Sequence, residues 1–261
     1  MTNFSEVCVV QPLDADRFEI AVPDGWQQGR GAFGGLGIGF AVRAMQAIEP
    51  DRALRVLTAE LPGPLLVGEA EIDVITLRRG KGTTVLEAHV KQAGDVCVRV
   101  SGFFGRDRGD ERSWIPTPPR TGRWQDVEPL PESTLPPRFA SAFEYRVTGP
   151  LPFSAGKEAR AEGWIRLRGG GPTWGAPEIA AMADAYWPSC FAIQDGPRPM
   201  ATVAYTLHLH DGARQLSSAE PLFYRAKCDV AGSGFLFERR ELWTADGQLV
   251  GVNPQTFIVI T

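Results

Sequence analysis

The chain has 261 residues, of which 43% are hydrophobic and 22% are charged. This composition is typical of a globular protein with a large core, and the formal net charge of −4 excludes nucleic acid as a bulk electrostatic partner. No apolar run reaches the roughly 18 residues of a membrane-spanning helix, so we expect no membrane partner.

The N-terminal region and the cysteines indicate a cytoplasmic protein. Residues 1–18 contain no basic segment followed by an apolar one, which a secretory signal requires. Cys8, Cys97, Cys190 and Cys228 are scattered and form no CxxC pair. We therefore expect reduced thiols, mostly in the core, as in the cytosol.

The first half of the chain predicts one helix among several strands. A strand is predicted at residues 18–22, and Gly34 and Gly35 then precede an apolar stretch at residues 36–48. A helix that is apolar on nearly every face has to be enclosed. After it, alternating apolar residues separated by glycine-containing turns predict antiparallel strands at residues 56–61, 66–77, 83–91 and 96–104.

A proline-rich linker is predicted next, at residues 106–138. It carries seven prolines between Pro116 and Pro137, which prevent a helix and favour extended geometry. Trp114 and Trp124 indicate that the linker packs against the protein. We therefore expect an N-terminal unit at residues 1–105 and a C-terminal unit at residues 139–261.

The second half repeats the order of the first. Strands are predicted at residues 143–147 and 161–167, and Gly175 precedes an apolar helix at residues 177–187. Further strands are predicted at residues 202–209, 222–230, 234–244 and 248–260. The repeat predicts an α+β protein of two fused units, each an antiparallel sheet wrapped around a central helix, with one ligand channel between them.

Three familiar patterns do not carry a function here. Residues 29–34 fit GxGxxG, but residues 23–26 separate them from the preceding strand and antiparallel strands follow, so we favour a glycine loop that approaches a ligand over a dinucleotide site. His208 and His210 share one strand face but lack a third ligand, so no metal is expected. Asn253 and Pro254 match part of a hydratase signature without its acid and base.

Three polar residues in apolar surroundings remain as candidates. Asp184 lies within the second helix, where an enclosed carboxylate is costly unless it has a task or a partner; alternatively it faces water at the helix end, because Pro188 stops the helix. Thr202 and Gln255 lie in strands. Taken singly, each is better explained by strand propensity or by an exposed edge.

Taken together, these positions resemble the acyl-CoA thioesterase II family. Residues 181–188 (AMADAYWP) are similar to its central-helix segment, residues 201–210 (ATVAYTLHLH) to its ATxDHxxxxH strand, and residues 246–255 (DGQLVGVNPQ) to its glutamine segment. The resemblance spans nearly the whole chain. One departure is that Ala204 and Tyr205 replace the family's Asp-His pair.

The resemblance implies a double hot-dog fold and hydrolysis of acyl-CoA, or of another acyl thioester, without a cofactor. Asp184, Thr202 and Gln255 would orient the hydrolytic water, and the family context implies a homodimer. A non-catalytic acyl-binding or carrier-interacting protein remains an alternative. A hot-dog hydratase is a weaker one.

Further site residues follow from the implied chemistry. Backbone amides of Gly34, Gly35 and Leu36 are candidates to bind the thioester oxygen, because the helix N-terminus favours an anion. The turn with Arg78, Arg79 and Lys81 is a candidate for the phosphates of coenzyme A, or else a solvated hairpin tip. Candidates for the acyl pocket, with plain core as the alternative, are Phe40, Met45, Met182, Tyr186 and Trp187.

Overall fold

The computed structural model describes residues 2–109, 114–132, 137–210 and 215–260. Parts of the predicted linker, at residues 110–113 and 133–136, therefore lie outside the described residues, as do both chain ends and residues 211–214. The division into residues 1–105, 106–138 and 139–261 stays a prediction.

The first half contains two helices and eight strands in its described residues. The helices are α1 (Phe4–Val7) and α2 (Gly34–Ile48). The strands are β1 (Gln11–Pro12), β2 (Arg17–Val22), β3 (Gln27–Gln28), β4 (Gly31–Ala32), β5 (Ala53–Glu60), β6 (Gly68–Arg79), β7 (Thr83–Gln92) and β8 (Asp95–Gly105). Each predicted strand and the predicted helix of this half is present, with ends shifted by a few residues.

The second half contains one α-helix and eight strands in its described residues. The helix is α3 (Ala176–Ala185). The strands are β9 (Phe143–Val147), β10 (Arg160–Leu167), β11 (Thr173–Trp174), β12 (Met200–Leu209), β13 (Leu216–Ser217), β14 (Leu222–Gly232), β15 (Phe235–Trp243) and β16 (Leu249–Val259). Within the described ranges, no helix of either half has the length and hydropathy of a membrane span.

Twelve of the described strands form one antiparallel sheet. Their order is β1-β2-β6-β7-β8-β5-β12-β16-β15-β14-β10-β9. The order on one side of the β5–β12 pair mirrors the order on the other, and Thr58 of β5 lies directly opposite Thr206 of β12. This confirms the internal repeat: the two halves are related by a pseudo-two-fold axis near that pair, as in a double hot-dog fold.

The two central helices are enclosed by the sheet and pack against each other. Gly35 makes the close approach possible, because a Cβ atom there would lie 2.9 Å from the Cα of Ala181. Arg43 of α2 also forms an ion pair with Glu178 of α3, and Glu178 accepts a hydrogen bond from the Gly175 amide at 2.9 Å. Packing and charge therefore fix the two helices relative to each other.

Helix α3 ends earlier than the sequence predicts. Tyr186 is already extended, with φ −74° and ψ 149°, so it and Trp187 lie outside the helix. Pro188 contributes to this early end, because in a continued helix its ring would clash with the carbonyl of Asp184, four residues earlier. Asp184 consequently lies in the last turn of α3.

Part of the linker covers the outer face of the second half of the sheet. Trp124 packs against a cluster formed by Trp164, Phe223 and Trp243. The guanidinium of Arg146 lies 5.1 Å from the Trp124 ring centroid. The expectation that both linker tryptophans pack down is wrong for Trp114, which is 88% exposed.

Candidate functional site

Asp184 faces the N-terminus of α2. Its carboxylate accepts a hydrogen bond from the backbone amide of Gly35. A Cβ atom on Gly34 would lie 2.9 Å from Asp184 Oδ2, so the carboxylate occupies the space that a side chain would fill. The positive end of the α2 dipole favours a negative charge at this point.

Gln255 connects Asp184 to Thr202. The Gln255 Nε2 donates a hydrogen bond to Asp184 Oδ1 at 3.1 Å, and the Thr202 hydroxyl donates to Gln255 Oε1 at 3.3 Å. The three side chains lie on α3, β12 and β16 and form one hydrogen-bonded chain, which we call the triad. The fold therefore brings the predicted carboxylate, hydroxyl and amide together.

A β-bulge places Thr202 on the inner face of the sheet. Tyr205 pairs with Gln255 and Thr202 pairs with Phe257, with a register shift between Thr202 and Ala204. In a regular strand, residues three apart face opposite sides. The extra residue in β12 reverses the alternation, so the Thr202 hydroxyl faces the same side as Gln255.

Asn253 holds the Gln255 amide in its orientation. Its Oδ1 accepts from Gln255 Nε2 at 2.7 Å, while its own Nδ2 donates to the Thr206 carbonyl at 2.6 Å. Because this acceptor fixes the amide nitrogen, the oxygen of Gln255 has to face Thr202. Sequence reasoning missed this role, although Asn253 and Gln255 alternate on one strand and so share a face.

Arg240 anchors the end of α3 and was also missed. It is buried, and its Nη1 donates to the carbonyls of Ala183 at 2.8 Å and of Asp184 at 3.3 Å. Its Nε donates to Glu238 Oε1 at 2.7 Å, and Glu238 Oε2 accepts from the amide of Ser189 at 2.6 Å. This buried pair ties the last turn of α3 to the segment after Pro188.

Burial raises the pKa of Asp184 above its usual range. The charge of Arg240 and the hydrogen bonds from Gln255 and Gly35 act in the opposite direction without cancelling the effect of burial, and Glu238 adds to the rise. A carboxylate with a raised pKa is a stronger base than an ordinary aspartate, which suits proton abstraction near neutral pH.

A cavity of about 120 Å³ opens beside these groups. Its charged lining residues are Asp184 and Arg240, and Thr202 contributes a hydroxyl in addition to those of the lining tyrosines. Its walls are mainly apolar and aromatic and include Phe139, Ala140, Tyr145, Ala185, Tyr186, Trp187, Phe191, Met200 and Phe257. An acyl group with its carbonyl near Asp184 would find an apolar environment here.

The acyl-pocket candidates fall into two groups. Tyr186 and Trp187 line the cavity, since both follow the end of α3. Phe40, Met45 and Met182 have no exposed surface and belong to the main core cluster between the helices and the sheet. These three residues are therefore core residues, which was the alternative interpretation.

Two of the three candidate amides at the start of α2 already have partners. The amide of Gly35 donates to Asp184, and the amide of Leu36 donates to the Phe33 carbonyl at 3.0 Å. The expectation that both are directed at a substrate oxygen does not match this geometry. Gly34 remains as the candidate donor in the first turn.

The basic turn lies away from the triad. Arg79 forms an ion pair with the buried Glu49 at 3.0 Å and donates to the Ile48 carbonyl at 3.2 Å, at the C-terminal end of α2. Over the 15 residues of α2 this is about 20 Å from Gly34. Arg79 thus neutralises a buried carboxylate, while Arg78 and Lys81 are exposed.

The pseudo-two-fold axis generates no second triad. Thr58 and Thr206 are equivalent positions, and from this pairing Leu54 corresponds to Thr202. Gln255 pairs with Tyr205, and the equivalent Leu57 pairs with Gly102. Since leucine and glycine supply no polar side-chain group, the described residues form this hydrogen-bonded chain once.

Tyr205, one of the two departures from the family strand, lies under α3. It is fully buried, and its hydroxyl donates to the Ala180 carbonyl at 3.0 Å. Neither Tyr205 nor Ala204 is among the residues that line the cavity.

Within the described ranges, no group of three or more His, Cys, Asp or Glu side chains is arranged to hold a metal ion.

Several solved structures share this fold. A hot-dog protein of unknown function from Alicyclobacillus acidocaldarius is 20% identical, with a TM-score of 0.90 over 100% of this chain and 99% of that one. An acyl-CoA thioesterase II from Mycobacterium marinum is 18% identical, with a TM-score of 0.79 over 98% of each chain. No curated protein matches the sequence.

Family models match both halves of the chain. The model for the acyl-CoA thioesterase N-terminal domain matches residues 22–105. The model for the acyl-CoA thioesterase C-terminal domain matches residues 110–259, which is more than half of the chain. With its double hot-dog fold, the chain belongs to the acyl-CoA thioesterase family.

Proposed function

We propose that the protein hydrolyses acyl-CoA thioesters to the free acid and coenzyme A, using a water molecule activated by Asp184. The observation that carries this proposal is the hydrogen-bonded chain from Thr202 through Gln255 to Asp184 at the wall of an apolar cavity. The family supports the substrate class, and the geometry supports the assignment of these three residues.

The chemistry requires a positioned water more than a strong acid. The leaving thiolate has a conjugate acid with a pKa of about 8.5, so little protonation of the leaving group is needed at neutral pH. Asp184 accepts a proton from the water as general base. Because the Thr202 hydroxyl proton is directed at Gln255, its oxygen lone pairs are available to accept a hydrogen bond from the same water.

The carbonyl oxygen of the thioester gains negative charge during attack. The start of α2 lies next to Asp184, where the helix dipole favours an anion. We assign the Gly34 amide as the donor to this oxygen, since the next two amides have partners. A preorganised donor of this kind contributes about 2.7–4 kcal/mol to transition-state stabilisation.

The test is a hydrolysis assay with a matched pair of variants. Purified protein is incubated with acyl-CoAs of different length, and released thiol is measured with a chromogenic disulfide. Asp184→Asn is expected to lower kcat at least 100-fold, while Asp229→Asn, at an exposed position of β14, is expected to retain activity. Full activity of Asp184→Asn would refute the site assignment.

A protein that binds acyl thioesters without turnover is the competing outcome. Saturable binding of acyl-CoA with no thiol release would support that role. Unchanged absorbance of enoyl-CoA is expected and would count against hydratase chemistry.

The proposal includes a cytoplasmic location and a homodimer. Support for the dimer comes from exposed apolar side chains on β6 and β8 in the first half of the sheet. Ile75, Leu77 and Phe103 are 44%, 55% and 39% exposed there. Sedimentation analysis tests it: a monomer at micromolar concentration would contradict the dimer.

A further inference from the structure

We infer that the site selects short acyl groups, of about four to six carbons, and rejects long fatty acyl chains. The inference rests on the proposed function and adds the substrate class. It follows from the size of the cavity beside Asp184, from the contacts that hold its aromatic walls, and from the separate lining of the larger cavities elsewhere.

The volume of the cavity sets the limit. A cavity of 150 Å³ lined by apolar side chains accommodates benzene, which has six carbons. The cavity beside Asp184 measures about 120 Å³. Scaled in proportion to its volume, the cavity beside Asp184 holds about five carbons.

One wall of the cavity is held by ring contacts and hydrogen bonds. The ring centroids of Tyr145 and Tyr186 are 5.3 Å apart, and those of Tyr186 and Trp187 are 4.4 Å apart. The Tyr145 hydroxyl donates to the Ala185 carbonyl at 2.9 Å. Tyr186 also stacks on Tyr224, with centroids 4.3 Å apart and an interplanar angle of 7°. These contacts oppose displacement of the wall by a longer chain.

Two further lining residues, Phe191 and Phe257, are also supported by neighbouring side chains. Phe191 packs against Phe153, with ring centroids 5.0 Å apart. The Arg240 guanidinium lies 5.3 Å from the centroid of the Phe257 ring, and Arg240 is itself fixed by Glu238. A longer acyl chain would therefore have to break these contacts to extend.

Larger cavities elsewhere in the protein offer no extension. The one of about 450 Å³ is lined by Gln46 near the C-terminal end of α2 and by Ala176 at the start of α3. Arg52, Arg55 and Arg106 also line it, which makes it unsuitable for an alkyl chain. This cavity and three others of about 350–400 Å³ share no lining residue with the cavity beside Asp184.

The experiment compares saturated acyl-CoAs from two to sixteen carbons. Each methylene that enters the cavity is expected to raise kcat/KM about fourfold. The rise is expected to stop at four to six carbons, with a fall of at least tenfold by ten carbons. A maximum at twelve to sixteen carbons overturns the inference and leaves the proposed hydrolysis intact.

Variants that enlarge or reduce the cavity test the role of its walls. Phe191→Ala is expected to move the optimum to longer chains, and Ala140→Leu to shorter ones, because both residues line the cavity. Phe237→Ala removes the same side-chain atoms as Phe191→Ala from a position that is 39% exposed and should leave the optimum unchanged. An unchanged optimum in both wall variants would contradict the assignment of the cavity.

Binding measurements separate the size limit from turnover. Calorimetric titration of Asp184→Asn with the same acyl-CoAs yields Kd without hydrolysis. Kd is expected to fall about fourfold per carbon up to about five carbons and then to stop falling. This pattern would uphold the size limit even if the wild type releases no thiol, whereas a Kd that keeps falling to sixteen carbons overturns it.

Discussion

Replacing Arg240 by methionine tests whether the buried pair at the end of α3 supports both stability and the base. The side chains of Arg240 and Glu238 are each 1% exposed, and their Nε–Oε1 distance is 2.7 Å. Removing the cation leaves the Glu238 carboxylate buried without its partner. Breaking a buried pair in this way costs about 3–5 kcal/mol of the free energy of unfolding.

The same change alters the titration of Asp184. Because the charge of Arg240 lowers the pKa of Asp184, its removal raises that pKa further. The carboxylate is then protonated over a wider pH range. The acid limb of the pH profile of kcat/KM is expected to shift to higher pH in Arg240→Met.

Denaturant unfolding and pH-rate profiles provide the measurements, with two comparison variants. Arg225→Met removes a cation that is 37% exposed and lies 2.6 Å from Glu241, and it should cost about 1 kcal/mol or less. Adding Glu238→Gln to Arg240→Met should recover part of the stability and move the acid limb part of the way back, because the charge of Glu238 also raises the pKa of Asp184. A loss below about 1 kcal/mol in Arg240→Met, or an unmoved acid limb, would refute the reasoning.

Three further predictions concern the triad and its approach to α2. Gln255→Leu disconnects the Thr202 hydroxyl from the Asp184 carboxylate and is expected to lower kcat about 100-fold with little change in KM. Thiol-release kinetics measure both constants, and an equally large rise in KM would indicate a role in binding instead. Gly34→Ala brings a methyl group to 2.9 Å from Asp184 Oδ2 and should lower kcat, while Gly82→Ala, which meets no atom within 4 Å, should not. In the wild type, kcat/KM is expected to fall as the pH drops through the pKa of Asp184. Because burial raises this pKa, the midpoint of the fall should lie above the usual aspartate value of about 3.9. A midpoint below that value would contradict the role of Asp184 as the base.

The fold was largely predictable from periodicity. A two-residue alternation and glycine-containing turns are local properties, and they placed the main strands within a few residues of their observed ends. Helix α2 was predictable because an apolar stretch without a polar face has to be enclosed. The predicted end of α3 was less accurate: the helix ends at Ala185, and a longer helix would bring the Pro188 ring against the Asp184 carbonyl.

The candidate site was predictable only in part. Asp184, Thr202 and Gln255 were found from segments that resemble a family, whereas the roles of Asn253 and Arg240 were not found. Their roles depend on partners 47 and 57 positions away in the chain, at the Thr206 and Ala183 carbonyls. The contact of Arg79 with phosphate stays a prediction, while its ion pair with the buried Glu49 could not be seen from the local sequence.

The sequence by itself determined the duplicated α+β architecture, because hydrophobic alternation and glycine turns act over a few residues. The tertiary structure alone decided how the polar groups meet. A bulge in β12 directs the Thr202 hydroxyl inward, the glycines of α2 admit the Asp184 carboxylate, and aromatic rings after α3 limit the cavity to about 120 Å³. Each of these depends on contacts between distant segments, whose register and packing have no counterpart in local residue patterns.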